Sequence, residues 1–336
     1  MANSQGYPQD DAMRTDANQC ADKLIVKPQT LARAATACLA SLLVTACSDG
    51  NQSSAVTSGE FSALAYNVAG LPQALSGSSP ETNTPIISPL LNNYDVVLVQ
   101  EDWLTPTPNG LAPLRVYHAI LAADAEHPYQ STPAPLPLGM DASRPSAQVS
   151  DGLNRFSQFP FGDVTRQAWA GCDNNSGDCL ALKGFSVART QIEEGVCIDV
   201  YNVHGEAGNQ AGDRVLKDQN TRDLAGFIEV FSAGRAVIIG GDFNQRRSRS
   251  HDAENLDYLT QTTGLANACD AVGVVDDEAI DKFFFRSSEA ITISPTGCQF
   301  ELDRFVTPDG GPLSDHDALA VTFSWSAAPE PGLSCL

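Results

Sequence analysis

At five places along this chain an apolar run meets a polar side chain that a buried strand has no packing reason to carry. "LAYN" stops at Asn67, "VVLVQE" at Glu101, "YNVH" at His204, and "VIIGGDFN" at Asp242 and Asn244; "SDHD" sets Asp315 and His316 directly before the apolar run "ALAV". Carboxylates and carboxamides are hard oxygen donors that suit Mg2+ better than zinc. Imidazoles beside carboxylates can divide acid and base roles near neutral pH. Each group alone has a bland reading: a solvated glutamate, a structural histidine, an Asx turn in "GGDFN", a turn cluster in "SDHD". As an ordered set they predict a metal and phosphate site. The absence of GxxxxGK[ST] and GxSxG removes most support for nucleoside triphosphate and serine-hydrolase chemistry.

The elements that must position these groups are short β-type runs alternating with longer helical or loop segments: "FSALAYNV", "YDVVLVQE", "FSVARTQI", "VCIDVYNVH", "AVIIGGDFN", "DKFFFR", "LDRFVT" and "ALAVTFSW". A strand ending on a polar group delivers it to the rim of a sheet, where clefts form in α/β folds. "VVLV" and "VIIG" are apolar on consecutive residues, as expected of strands covered on both faces. Residues 213–232 carry Val215, Leu216, Leu224, Phe227, Ile228 and Phe231 at near-helical spacing, which predicts a helix between two strands. The fold class expected is a layered α/β domain with sheets buried under helices. The Pro-rich segment 127–145 reads as a loop, not a domain boundary.

The 336 residues carry 41 Asp and Glu against 20 Lys and Arg, a formal charge of −21, and 42% are hydrophobic. So acidic a chain weighs against unaided tight binding of a polyanion, although bound cations would alter the local field. Residues 34–46, "AATACLASLLVTA", form an apolar run of signal-peptide length behind Lys27 and Arg33 that ends at Ala46–Cys47. This resembles a bacterial lipoprotein signal. It implies a leader over 1–46, a lipidated Cys47 that anchors the chain to a membrane, a flexible tether over 47–60, a domain over 61–326 and a tail over 327–336. The leader is unusually long and acidic, so translation is expected to start downstream of the first Met. After export six cysteines remain, Cys172, Cys179, Cys197, Cys269, Cys298 and Cys335, an even number suited to disulfides in the cell envelope or outside it. Cys172 and Cys179 flank the turn-rich "DNNSGD" as a local pair.

The succession "AYNVAGLP", "VVLVQE", "YNVH", "GGDFNQ", "LDRF" and "SDHDALAV" resembles the endonuclease/exonuclease/phosphatase, or DNase I-like, superfamily across residues 61–326. The resemblance implies a four-layered α/β sandwich with two facing mixed β-sheets and a site at one end. It assigns Asn67, Glu101 and Asp315 to a divalent cation, Mg2+ or Mn2+. It assigns Asp242 to orienting the attacking water and Asn244 to the phosphate. His316 would be general base or positive partner of the phosphate, with Asp303 of "LDRF" as its orienting carboxylate, and His204 would protonate the leaving group. Phosphodiester hydrolysis needs these parts: a cation on the non-bridging oxygens, a water in line and help for the departing alkoxide.

"NVAGLP", "HPYQST", "DGLNRFSQFPF" and above all "GCDNNSGDCLALKGFSVART" are similar to segments of the bacterial neutral sphingomyelinase branch. That branch implies a sphingomyelinase-like phospholipase C, a monomer acting on a phospholipid. No exposed aromatic hairpin for entering a bilayer is evident, and "DKFFFR" reads as core. The rivals are a secreted DNase I-like nuclease, favoured only by the basic "QRRSRS" after Asn244, an inositol-phosphate phosphatase, and a lipid-anchored binding protein without turnover.

Overall fold

The computed structural model describes residues 57–106, 113–114, 116–137, 144–174, 177–328 and 335. The expected leader, Cys47 and most of the tether lie outside the described residues. In chain order the described strands are β1 (Thr57–Asn67), β2 (Val96–Gln100), β3 (Thr105–Pro106), β4 (Pro113–Leu114), β5 (Tyr129–Gln130), β6 (Asn154–Ser157) and β7 (Thr165–Ala168). They continue as β8 (Gly184–Glu193), β9 (Val196–His204), β10 (Val237–Asp242), β11 (Ala266–Asn267), β12 (Asp281–Arg286), β13 (Ile291–Phe300) and β14 (Leu319–Ala327). The helices are α1 (Pro80–Leu90), α2 (Val116–Leu121), α3 (Ala211–Phe231), α4 (Ser250–Thr263) and α5 (Ala268–Ala271).

Twelve of the strands build two six-stranded mixed sheets, in the orders β13-β14-β1-β2-β6-β5 and β11-β12-β10-β9-β8-β7. Three apolar cores account for the layering. Phe61, Val96, Leu98, Val200, Ile238, Phe283 and Phe323 fill the space between the sheets. Leu64, Val97 and Val99 pack outward with Ile87 of α1 and Leu121 of α2, while Val237, Ile239 and Phe284 pack outward with Leu224 of α3 and Leu259 of α4. The period-two alternation thus sends Leu98 to one core and Val97 and Val99 to another, which is why "VVLV" and "VIIG" are apolar throughout. This is the four-layered sandwich expected. "DKFFFR" is core, with Phe283 and Phe284 buried.

Two strands differ from expectation. β1 begins at Thr57, four residues ahead of Phe61, and "LDRFVT" is a turn: Arg304 and Phe305 donate backbone hydrogen bonds to the Glu301 carbonyl. In α3, Val215 faces solvent, while Leu224 and Ile228 are buried.

Strand direction gathers the site. β1 runs parallel to β2, pairing Asn67 with Gln100, and β9 runs parallel to β10, pairing His204 with Asp242. β12 is antiparallel to β10, so its first residue, Asp281, pairs with the last, Asp242. β14 is antiparallel to β1 and pairs Leu319 with Ala65, so the segment before it, with Asp315 and His316, enters at the same rim. Gly241 has φ 145°, and a Cβ there would lie 2.1 Å from the Val203 carbonyl oxygen, which permits only glycine between the ends of β9 and β10. Polar bonds join the sheets near this rim: Gln100 Nε2 donates to Asn202 Oδ1 at 2.7 Å, and Arg155 Nη1 donates to the Val200 carbonyl at 2.9 Å.

The six cysteines after Cys47 are all paired, as Cys172–Cys179, Cys197–Cys335 and Cys269–Cys298. Among the described residues, no helix is long and apolar enough to cross a membrane.

Candidate active site

Asn67 is the hub. Its Nδ2 donates to Glu101 Oε1 at 3.1 Å and to Asp242 Oδ2 at 3.3 Å, and lies 3.3 Å from His316 Nε2. Its Oδ1 accepts from the Ala69 amide at 3.1 Å, and its carbonyl accepts from Ser314 Oγ at 2.6 Å. The "S" of "SDHD" therefore fixes that segment against the end of β1.

Asp242 is buried at the end of β10 and is held by its neighbour. The Asn244 amide donates to Oδ1 at 2.8 Å, and Asn244 Nδ2 donates to Oδ2 at 3.0 Å and to the Gly205 carbonyl at 3.2 Å. His204 Nε2 lies 3.4 Å from Asp242 Oδ2 and 3.8 Å from Glu101 Oε1, with its ring 5.8 Å from that of Trp103. Both His204 ring nitrogens are buried without a hydrogen-bond partner. Among the described residues, the non-glycine positions with left-handed backbone are Ala69, Glu101 and Asn244. All three sit at this rim, the placement expected of strain held for function.

His316 is clamped by a different acid from the one expected. Its Nδ1 lies 2.8 Å from Asp281 Oδ2, while Nε2 faces Asp242 Oδ2 at 3.7 Å. Asp303 is exposed in the turn after β13. The physical reason is the register just described: Asp281 opens the strand next to β10, whereas the expected strand "LDRFVT" does not exist. The same rule that selected polar residues at strand ends would have found Asp281 had it been applied to the first residue of "DKFFFR". Asp315 is exposed beside Ser314 Oγ at 3.3 Å and acts on the site through its charge.

A second residue was missed. Lys183, quoted only as part of "KGF", is buried with its Nζ 2.6 Å from Asp178 Oδ1. Asp178 sits in the loop closed by Cys172–Cys179. Burial would lower the lysine pKa, but Asp178, Glu101 and Asp242 together raise it, so the ammonium is a fixed positive charge beside the cluster.

The electrostatics follow from burial. Burial pushes the Glu101 carboxyl up, opposed by Lys183 and by the Asn67 hydrogen bond. Burial and then Asp281 push Asp242 up to about 6. Burial, Lys183 and His316 hold His204 well below the ordinary imidazole range. Burial alone would lower His316 too, but the bonded Asp281 carboxylate, Asp242 and Asp315 outweigh it and raise it to about 10.

A divalent cation fits this donor set. The Glu101 carboxylate, held by Asn67 Nδ2 at 3.1 Å and raised in pKa chiefly by burial, is 22% exposed at the mouth, and Asp315 adds a second exposed carboxylate at the outer rim. Asp242, Asp281 and His316 also offer ligand atoms within 4.8 Å of one another. That trio is better explained as an ion pair plus its neighbour, because His316 Nδ1 and Asp281 already satisfy each other.

Geometry and topology together define a DNase I-like fold with its polar strand ends gathered at one rim. No family model matches the chain. A sphingomyelinase of Mycobacterium tuberculosis is 34% identical over 294 residues, 83% of this chain and 55% of the relative. The chain thus spans about half the length of the curated relatives it matches. Among solved structures, a beta toxin variant from Staphylococcus aureus with bound magnesium ions aligns at TM-score 0.55 and 15% identity, covering 78% of this chain and 99% of that one. A humanized Danio rerio TDP2 aligns at TM-score 0.57 and 17% identity, covering 79% of this chain and 98% of that one. The fold is thus DNase I-like, and over 83% of its length the chain is similar to mycobacterial sphingomyelinases.

Proposed function

We propose that the protein is a divalent-metal-dependent phosphodiester hydrolase, a sphingomyelinase-like phospholipase C that cleaves by direct attack of water. The observation that carries the chemistry is the convergence on Asn67 of Glu101, Asp242 and His316, within 3.3 Å in every case. The 34% identity to mycobacterial sphingomyelinases, with three disulfides suited to an exported chain, favours a phospholipid substrate.

Glu101 and Asn67, with Asp315 at the outer rim, would hold the cation, and magnesium in the beta toxin structure supports that choice of ion. When bound it would neutralise charge on the phosphate. The chain's own groups divide the remaining work. Asp242, fixed at both oxygens, orients the water, and Asn244 Nδ2 lies beside it to meet a phosphate oxygen. His316, paired with Asp281, keeps its Nδ1 proton on the carboxylate side and presents Nε2 to the phosphate. Asp242 would take the proton released by the attacking water, and His204, neutral and with Nε2 3.4 Å from Asp242 Oδ2, would pass that proton to the leaving oxygen. Export through a lipidated Cys47 and a monomeric state belong to the same proposal.

The test is a side-by-side assay of purified protein with Mg2+ on sphingomyelin, phosphatidylinositol, an inositol phosphate and plasmid DNA. Release of phosphocholine from sphingomyelin is expected. Cleavage of DNA with no action on phospholipid would replace this reading with the nuclease one.

A further inference from the structure

Beneath the loops that carry His204 and Asp242, α3 buries a lysine. The Lys217 side chain is 1% exposed. Its Nζ donates to the Gly208 carbonyl at 2.7 Å and to the Asn244 carbonyl at 2.6 Å, and lies 3.9 Å from Asp252 Oδ1. The two carbonyls belong to different loops: one follows His204 at the end of β9, the other follows Asp242 at the end of β10. The second is the carbonyl of Asn244, whose backbone φ is 53° and whose amide and side chain hold both oxygens of Asp242.

Beside the lysine lies a chamber of about 10 Å³, lined among others by Trp169, Glu206, Asn220, Thr221 and Gln245. That is room for about one water. Glu206 Oε2, Gln245 Oε1 and both polar side-chain atoms of Asn220 are buried without a partner. Packing alone would favour an apolar residue at the lysine's position, since a buried cation costs free energy unless its protons are bonded and its charge is balanced. Here the protons go to the backbones of two functional loops.

We propose that Lys217 is a positioning residue. Its ammonium clamps the carbonyls of Gly208 and Asn244, which sets the spacing between His204 and the Asp242–Asn244 pair, and one water in the chamber joins Asn220, Gln245 and Glu206. The inference rests on the phosphodiesterase reading above. A shift of about 1 Å in such groups costs on the order of 100-fold in rate.

The experiment compares full-chain Lys217→Met, Lys217→Gln and Lys217→Arg with the wild type, on sphingomyelin micelles with Mg2+ and on bis(4-nitrophenyl) phosphate. Folded fraction is followed by near-ultraviolet circular dichroism. Met and Gln should lower kcat by roughly 10- to 100-fold at a KM within about twofold of the wild type, and Arg, which keeps a cation and donors, should recover most of that loss. A folded Met or Gln variant with kcat within about twofold of the wild type overturns the proposal. So does a loss of rate no larger than the loss of folded protein, or failure of both Met and Gln to fold, either of which makes Lys217 a structural residue only. If the wild type is inert on sphingomyelin, the substrate reading fails, while the same ratios on the synthetic diester still decide the clamp.

Discussion

His316 Nδ1 stands 2.8 Å from Asp281 Oδ2, a pairing between the loop before β14 in one sheet and the first residue of β12 in the other. The imidazole proposed to meet the phosphate is therefore oriented by the facing sheet, which would make the relative placement of the two sheets part of the chemistry.

The corrected carboxylate is directly testable. Asp281→Asn should lower kcat on the order of 100-fold, because His316 loses the partner that fixes its tautomer and charge. Asp303→Asn should change it by less than about twofold, as expected of an exposed residue away from the site. Steady-state kinetics of the two variants decides between them, and the opposite ranking would restore Asp303.

Cation dependence separates the ligand set from the ion pair. Chelation with EDTA should abolish turnover and Mg2+ should restore it. Glu101→Gln should raise the Mg2+ concentration for half-maximal rate by more than about tenfold, since it removes an anionic oxygen donor. An enzyme indifferent to EDTA would remove the cation from the mechanism.

Glu206 links stability to pH. Burial and then Asp178 raise its folded pKa from 4.5 to about 7. Folding thus favours the protonated acid: the contribution is fully present below pH 4.5 and is lost as pH rises through 7. Above that, the buried carboxylate opposes folding by on the order of 2 kcal/mol. Glu206→Gln, which keeps an acceptor for the Asp173 amide, should match the wild-type Tm at acid pH and exceed it by several degrees at alkaline pH. Differential scanning fluorimetry across that range checks it, and a constant offset would refute the linkage.

The disulfides should differ in their contribution. Cys172–Cys179 spans a separation of 7 residues and Cys197–Cys335 one of 138. Loop-closure entropy gives about 2.5 kcal/mol for the first and about 5 kcal/mol for the second. Serine pairs at 197 and 335 should therefore lower denaturant stability more than serine pairs at 172 and 179. The short bridge, which holds the loop of Asp178, should affect kcat more than its stability cost implies.

The sequence alone determined the layers and most of the rim. Consecutive apolar residues in "VVLV" and "VIIG" required cover on both faces, and a polar residue at the end of such a run goes to the sheet edge, so Asn67, Glu101, His204, Asp242 and Asn244 were legible as an ordered set. Local pairing was legible too, in the two cysteines flanking a turn. Contacts set by register between strands far apart in sequence were not. Asp281 reached His316 because β12 lies antiparallel to β10, and Asp303 did not because its segment turns instead of pairing. Nothing in the sequence marks Lys183 and Lys217 as buried: Lys183 is turned onto Asp178 by the fold of the loop between them, and Lys217 reaches the Asn244 carbonyl of a distant segment. Spacing along a chain encodes which face a side chain takes; which partner waits on that face is decided by how the sheets and helices close around it.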